Sequence, residues 1–169
     1  MIAAAYFKDG MMTRVIGVPD YPSLIASTEE GEVGYEIPLI AAQALPINLE
    51  VVRAFYHARI DQQAGACRSH FITSVPGQAQ TYQRKEAEAR AWTEGDEVAN
   101  PDHYPFMLAE ASVRGVTVAQ VRDEIMEQVN QLVPLAAMIE AKRIHAKRLV
   151  DAAEDIPGIA GAAAVEWLA

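Results

Sequence analysis

Cys67 and His70 are the two side chains whose types and spacing come closest to a chemical site. They lie three residues apart on a predicted helix, a spacing that places both on one face. A structural zinc site needs four ligands, however, and the chain has one cysteine and no close pair of histidines. A cysteine nucleophile would need a third group to orient the imidazole, and none is identifiable. We therefore expect a packed thiol beside a partly buried imidazole, with no metal and no cofactor.

Other catalytic signatures are also absent from the sequence. It contains no glycine-rich dinucleotide loop, no Walker sequence and no Gly-x-Ser-x-Gly turn. Acidic side chains are abundant, but the helical ones fall on positions that we expect to be exposed and hydrated: Glu86, Glu88, Asp123, Glu124 and Glu127. The pattern predicts no catalytic residue, so we expect a protein that is not an enzyme.

The charge balance limits the possible partners. The net charge of −9 argues against nucleic acid or an anionic membrane as the main partner, because both are bound through clustered Lys and Arg side chains. A basic cluster at 142–148 ends a predicted helix, where dipole compensation and ion pairing are favoured over phosphate binding. The single cysteine excludes an intrachain disulfide and favours a reducing compartment. The N-terminal residues lack the basic start and the apolar core of a signal peptide, so we expect none. No apolar run approaches the roughly 18 residues needed to span a bilayer.

The first forty residues have the pattern of strands. Residues 3–8 and 11–18 flank Asp9-Gly10, a dipeptide that suits a tight hairpin turn. In residues 32–37, Val33, Tyr35 and Ile37 alternate with polar or small residues, as in a half-buried strand. The stretch 24–27 is ambiguous. We expect a three-stranded β-meander with one apolar face, which needs a covering layer to be stable.

From residue 49 onward the apolar spacing becomes helical. It predicts helices over 49–72, 78–92 and 106–114, with breaks at Pro76-Gly77 and in the loop 100–105. Thr117 and Gln120 form a capping-box pair, in which each side chain satisfies a free backbone N–H at a helix start. A long helix is therefore predicted over 117–154, and Pro134 is expected to bend or break it.

The long helix carries a heptad pattern. Nine of its eleven a and d positions are apolar, the exceptions being Gln128 and Lys142. The other nine positions are Val118, Val121, Ile125, Leu132, Leu135, Ile139, Ala146, Leu149 and Ala153. This pattern predicts a packing seam and leaves open whether it closes within one chain or between chains.

We therefore expect an α+β fold that is predominantly helical. An N-terminal antiparallel β-meander (1–46) would act as a docking module, followed by a helical hairpin or bundle (47–155) and an apolar tail (156–169). Trp92 is equally compatible with core packing and with an interface. For Trp167, near the end of the apolar tail, docking on a neighbouring protein is favoured. The residues expected at interfaces are Val33, Tyr35, Ile37, Val121, Ile125, Leu132, Leu135, Ile139, Leu149 and Trp167.

The stretch Tyr82-Gln-Arg-Lys-Glu-Ala-Glu-Ala-Arg-Ala-Trp92, together with the segments 60–66 and 114–117, resembles a group of small proteins of tailed bacteriophages. Those proteins typically have a Tyr-x-x-Lys-x-x-Glu-Ala core, a loop, and an Arg-Gly followed by a long helix. The opening, with Arg14-Val15-Ile16 and Glu30-Gly-Glu32, is similar to their short β segment. The resemblance covers about two thirds of the chain, and Pro134 departs from its pattern.

The resemblance implies a minor virion component of the tail or tail fibre, present in the virion and in the host cytoplasm during assembly. Its partners would be other phage virion proteins and further copies of itself, with a trimer as the candidate oligomer, and no nucleic acid or membrane. It brings no catalytic residues. The alternative is a tail-fibre assembly chaperone that is absent from the finished particle. An enzyme or a nucleic-acid regulator is the third hypothesis, and it lacks a site in the sequence.

Overall fold

The computed structural model describes residues 2–43, 46–71 and 78–168. The predicted fold class is confirmed: a three-stranded antiparallel sheet precedes a mostly helical remainder that includes a long C-terminal helix. The predicted break at Pro76-Gly77, the predicted helix end at residue 72 and part of the connector 39–45 lie outside the described residues. Within the described residues, no helix is both long and apolar enough to cross a membrane.

The sheet contains β1 (Ile2–Lys8), β2 (Met11–Val18) and β3 (Val33–Ile37). The hairpin between β1 and β2 turns at Asp9 and Gly10, whose φ angles of 52° and 79° lie in the left-handed region that this dipeptide tolerates. The strand order is β2-β1-β3, so β1 is central and the expected meander is wrong. A short helix between β2 and β3, α1 (Tyr21–Ala26), carries the chain across to the free edge of β1.

Both faces of the sheet are covered by the chain itself. Ala3, Ala5 and Ile37 face one hydrophobic cluster, whereas Ala4 and Tyr6 face a second cluster that contains Leu24 of α1. The Tyr6 hydroxyl donates to the Leu24 carbonyl oxygen at 2.9 Å. The expectation of a sheet that lacks a second layer is therefore wrong, because α1 supplies a layer that the ambiguous stretch 24–27 did not reveal.

The predicted helices are present with similar bounds. The structure contains α2 (Leu49–Ser69), α3 (Gln78–Ala91), α4 (Asp96–Ala99), α5 (Pro105–Arg114), α6 (Val118–Ala152) and α7 (Ile156–Ala162). The capping box precedes α6 as predicted: the Thr117 N–H donates to Gln120 Oε1 at 3.0 Å, and the Gln120 N–H donates to Thr117 Oγ1 at 3.1 Å. Pro134 lies inside α6 and does not end the helix.

The chain divides into two compact units. The first unit contains residues 1–66 and 140–169, and the second contains residues 67–139. The predicted segments 1–46 and 156–169 both lie in the first unit, and the predicted segment 47–155 is shared between the two units. The first core includes Ile37, Val52, Ile60, Val150 and Ile159, whereas Ala89, Tyr104, Met107, Ala111 and Val121 form the second.

Candidate protein-binding surfaces

The heptad seam of α6 is largely used inside the chain. Val121 is buried in the second core and Ala146 in the first, and Ile139 is also buried. At the C-terminal end, Leu149 is 46% exposed, whereas its neighbour Val150 is fully buried. A straight helix drifts by about 20° per heptad from a 3.5-residue repeat. Over several heptads this drift moves the buried position from Leu149 to Val150.

The ten residues expected at interfaces differ in how exposed their side chains are. Ile37, Val121 and Ile139 are buried within the chain, whereas Val33 and Leu149 are exposed. Five are partly buried: Tyr35, Ile125, Leu132, Leu135 and Trp167. Binding through the exposed positions stays a prediction.

The tail is held by α6 and α2. Trp167 packs on the first core, and its Nε1–H donates to Gln63 Oε1 at 3.4 Å. Lys142 Nζ donates to the carbonyl oxygens of Glu166 and Trp167 at 2.6 and 3.2 Å. The apolar end of the tail therefore has partners inside its own unit.

An apolar patch remains exposed at the hairpin end of the sheet. Met11 is 71% exposed, Met12 41% and Val33 53%. Phe7 of the central strand pairs with Met12 on one side and with Val33 on the other, so apolar side chains lie abreast across all three strands. Met12 and Val33 therefore share a sheet face with Phe7, whereas Met11, which pairs with Lys8, lies on the opposite face at the same end of the hairpin. We call Met11, Met12 and Val33 the hairpin patch.

The second unit contains a cleft of about 580 Å³ between α3, α5 and α6. Its apolar lining includes Phe71, Ala79, Tyr82, Ile125, Val129, Leu132 and Val133. Its polar lining consists of Gln83, Lys85, Glu86, Glu110, Glu124, Gln128 and Gln131. The volume of the cleft lies in the range of about 300–1,000 Å³ that is typical of ligand-binding pockets.

The charged rim of the cleft is internally neutralised. Lys85 pairs with Glu110, and the Arg114 guanidinium lies 2.9 Å from Glu110 Oε1 and 2.7 Å from Glu124 Oε2. Lys85 and then Arg114 hold the pKa of Glu110 below its ordinary value, and Arg114 does the same for Glu124. Glu86, the remaining acidic residue of the lining, pairs with Arg90 at 2.8 Å. Each acidic side chain of the lining therefore has a cationic partner. The sequence pattern did not indicate this network because Lys85 and Glu110 lie on different helices.

Glu88 differs from the expectation that it is exposed and hydrated. Its carboxylate is buried and accepts hydrogen bonds from the backbone N–H groups of Phe106 and Met107, at 3.1 and 2.9 Å. These are first-turn N–H groups of α5, which have no partner inside that helix. Glu88 is therefore a cap supplied by another helix, and a single-helix pattern cannot distinguish it from a solvated acid.

The groups considered for catalysis or metal binding do not converge. Cys67 is buried, whereas His70 is exposed, so the expected partly buried imidazole is wrong. His57 Nε2 lies 3.1 Å from Asp151 Oδ1, and His103 and His145 are exposed. Across residues 2–43, 46–71 and 78–168, no three His, Cys, Asp or Glu side chains are grouped so that they could hold a metal ion.

The basic cluster at 142–148 forms ion pairs, as favoured from the sequence. Arg143 and Lys147 both bind the Asp61 carboxylate, at 2.7 and 2.6 Å. Lys147 and then Arg143 lower the pKa of Asp61 from its ordinary value. These two cations are therefore already engaged within their own chain.

Comparison with known proteins adds no relative: no protein-family model, curated protein or solved structure matches the chain. A functional assignment rests on the surfaces described above and on the sequence motifs.

Proposed function

We propose that the chain is a non-enzymatic structural protein that docks on another protein through the hairpin patch. The observation that carries this proposal is the set of large apolar side chains left exposed across the end of the sheet, at Met11, Met12 and Val33. Unbranched Met side chains adapt their shape to a partner and recur at protein-binding surfaces. A partner that closes around both faces of the hairpin end buries Met11, Met12 and Val33 together, which stabilises the complex by on the order of 3 kcal/mol.

The outer edge of β2 extends this docking surface. In the part of the chain that the structure describes, β2 pairs only with β1, so its other edge presents free backbone donors and acceptors. Such an edge is a template for a strand from another protein. The hairpin patch supplies apolar anchoring, and the β2 edge supplies hydrogen bonds and direction.

The partner that we propose is a tail or tail-fibre protein of a bacteriophage virion. The support is the resemblance of the segments 60–66, 82–92 and 114–117 to small tail-associated phage proteins. The chain would then reside in the virion, and in the host cytoplasm during assembly.

Quantitative mass spectrometry of purified phage particles from the producing host tests this proposal. We expect the chain in the particles at a constant ratio to the tail proteins. The double variant Met11→Glu/Met12→Glu should lose incorporation, because it places carboxylates in the contact. Val113→Glu, at a position 88% exposed on α5, is the matched control and should be incorporated normally. Normal incorporation of the double variant would reject the hairpin patch as the docking site.

The second candidate is a tail-fibre assembly chaperone, and the cleft of the second unit favours it. An apolar floor with a rim whose acidic side chains are all ion-paired suits temporary binding of an amphipathic segment of an unassembled fibre chain. The same mass spectrometry separates the two candidates. A chaperone is present in the infected-cell lysate and bound to unassembled fibre protein, but it is absent from the purified particle.

A further inference from the structure

The two edges of the sheet differ in how they are covered. At the β3 edge, the Tyr56 hydroxyl donates to the Glu36 carbonyl oxygen at 2.9 Å, and Arg59 Nη1 lies 3.1 Å from Glu36 Oε2. Side chains of α2 therefore occupy the outer side of β3. At the β2 edge, no hydrogen bond among the described residues reaches the strand backbone from outside the sheet. The β2 edge is therefore the one that can accept a further strand.

The ladder determines which backbone groups of β2 point outward. Neighbouring residues of an antiparallel strand direct their N–H and C=O groups to opposite sides. The two-residue turn makes Lys8 and Met11 a hydrogen-bonded pair, so the even-numbered residues of β1 bond to β2. Ile16 pairs with an even-numbered residue of β1, and its backbone groups therefore point inward. Those of Val15 and Gly17 point outward.

Two features limit the part of β2 that can pair further. The register with β1 shifts by one residue at Thr13, which forms a β-bulge. Pro19 follows the strand and has no N–H to donate. The segment between them is 14–18, with Ile16 at its centre. We call residues 14–18 the free segment of β2.

The free segment presents no charge at its outer edge. Edge strands of natural proteins are commonly protected by charged side chains or by proline. Arg14 is the only charged residue of the free segment, and its guanidinium lies 4.4 Å from the centre of the Tyr6 ring. Its Nη2 lies 2.7 Å from Glu32 Oε2. Because Tyr6 belongs to the central strand, the Arg14 side chain extends across the sheet and away from the free edge.

We infer that the free segment of β2 pairs with the free segment of a second copy of this chain, with the two strands antiparallel. A two-fold axis at Ile16 aligns the whole segment of one copy with that of the other. The same axis places Val15 opposite Gly17 of the second copy, and both residues have outward backbone groups. The two Val15–Gly17 pairs can therefore exchange four hydrogen bonds.

One register satisfies both the length of the segment and the direction of its hydrogen bonds. Moving the axis by one residue places Val15 opposite Pro19, or Gly17 opposite the bulged Thr13. Neither of these residues continues the ladder. The position of the axis at Ile16 follows from these two limits.

The side chains are compatible with this register. Ile16 meets Ile16 of the second copy at the axis, so an apolar pair lies at the centre. Val15 lies beside Gly17, whose missing side chain leaves room for it. Arg14 lies opposite Val18, so no like charges meet.

The size of the contact sets its strength. Two paired strands of five residues bury less than the roughly 800 Å² per partner of a standard interface. The dimer is therefore weak, and we expect a dissociation constant on the order of 100 μM.

A weak dimer has a consequence for docking, and this consequence rests on the proposed function. The same outward groups of β2 would pair with the virion protein, so the second copy and the virion strand exclude one another. The second copy covers the edge in the free chain, protects it from nonspecific strand pairing, and dissociates when the chain docks.

Sedimentation velocity and light scattering over a concentration series up to about 1 mM test the association. We expect the mass to approach twice 18.4 kDa as concentration rises. Ile16→Lys should raise the dissociation constant at least tenfold, because two ammonium groups meet at the axis. Val33→Lys, which adds the same charge at an exposed position of β3, should have no effect. A single chain at the highest concentration, or equal association of both variants, would overturn the inference.

Disulfide crosslinking tests the register and the orientation. In a Cys67→Ala background, Ile16→Cys chains should form an intermolecular disulfide in oxidising buffer. Opposite residues of a non-hydrogen-bonded pair have Cα atoms about 4.5 Å apart, which a disulfide can span. Met12→Cys is the control, because the axis places its two copies eight residues apart along the strands, at about 27 Å.

Two outcomes of the crosslinking would contradict the inference. Equal crosslinking of Met12→Cys would show a parallel pair, and a doubled mass without crosslinking of Ile16→Cys would show a different interface. Circular dichroism confirms that each variant is folded. These experiments use the isolated chain and need no phage protein, so their failure is distinguishable from a failed particle-incorporation experiment.

Discussion

At the scale of single residues, two carboxylates with different surroundings hold local structure together. Glu88 is buried and receives backbone N–H groups of α5, whereas Glu32 binds the Arg14 guanidinium, with Arg14 Nη2 and Glu32 Oε2 2.7 Å apart. The Arg14 guanidinium also lies 4.4 Å from the centre of the Tyr6 ring. Arg14 and Glu32 thereby connect β2, the central strand and the loop before β3.

Replacing Glu88 tests its capping role. Glu88→Ala should lower the free energy of unfolding by about 1–3 kcal/mol, because it leaves first-turn N–H groups of α5 without their acceptor. Glu88→Gln should lower it less, because one side-chain oxygen still accepts. Urea denaturation followed by circular dichroism measures both. Glu86→Ala, which removes only the exposed pair with Arg90, is the control and should stay within about 0.5 kcal/mol of wild type. Equal effects at both positions would contradict a cap.

The Arg14–Glu32 pair makes stability depend on pH. Arg14 and then the Thr13 hydroxyl lower the pKa of Glu32 to about 2, from an ordinary value of 4.5. Because the folded pKa is depressed, the contribution is complete above about pH 4.5 and is lost as pH falls toward about 2. Glu32→Gln should therefore be less stable than wild type at pH 7, and the difference should vanish near pH 2.

Denaturant titrations between pH 2 and pH 7 provide this measurement. Glu30→Gln, at an exposed position two residues earlier, serves as the control and should have the same free energy of unfolding as wild type at every pH. A difference between Glu32→Gln and wild type that stays constant with pH would contradict the assigned linkage.

At the scale of elements, Pro134 is the feature of α6 that opposes helix formation. It has no N–H to donate to the Asn130 carbonyl, and its ring crowds the preceding turn. The helix nevertheless continues on both sides, supported by the capping box at its start and by burial of Val121, Ile139 and Val150. Tertiary packing outweighs a local propensity cost of about 3 kcal/mol.

Pro134→Ala should raise the free energy of unfolding by about 1–3 kcal/mol, because it restores a helical hydrogen bond. The measurement is urea denaturation followed by circular dichroism. Val133→Ala, at the adjacent exposed position, should stay within about 0.5 kcal/mol of wild type. A Pro134→Ala variant no more stable than wild type would mean that the surrounding turns already satisfy the Asn130 carbonyl.

At the scale of the whole molecule, each compact unit has its own core and its own tryptophan. Trp92 packs on the second core and donates its Nε1–H to Glu97 Oε2 at 2.7 Å, whereas Trp167 packs on the first. Met107 is fully buried in the second core, so Met107→Ala removes core volume near Trp92.

Variants with a single tryptophan can report the stability of each unit separately. In a Trp167→Phe background, Met107→Ala should lower the stability reported by Trp92 by about 2–5 kcal/mol. In a Trp92→Phe background, Ile60→Ala should lower the stability of the first unit, reported by Trp167, by a similar amount, because Ile60 is fully buried there. Urea-dependent fluorescence measures both, and the opposite pairings of reporter and substitution should give smaller shifts. Identical shifts in all four combinations would show that the units unfold as one.

The elements governed by local chemistry could be predicted from the residues alone. Asp9-Gly10 specified the hairpin, Thr117 with Gln120 specified the start of α6, and residue periodicity located four helices. These features depend on backbone φ angles and on hydrogen bonds between residues at most four apart. The residue types at those positions are therefore enough to predict them. The absence of familiar catalytic motifs was also visible at this level.

The features that depend on contacts between helices and strands were determined only by the tertiary structure. Only the fold places β1 in the centre of the sheet, covers the second sheet face with α1, and makes Glu88 a cap for α5. It also determines that Val150 rather than Leu149 is buried, and that Ala137 and Ile144 are left exposed. A heptad pattern predicts that its apolar side chains are buried. The identity of what covers them depends on helix drift and on packing between segments far apart in the chain.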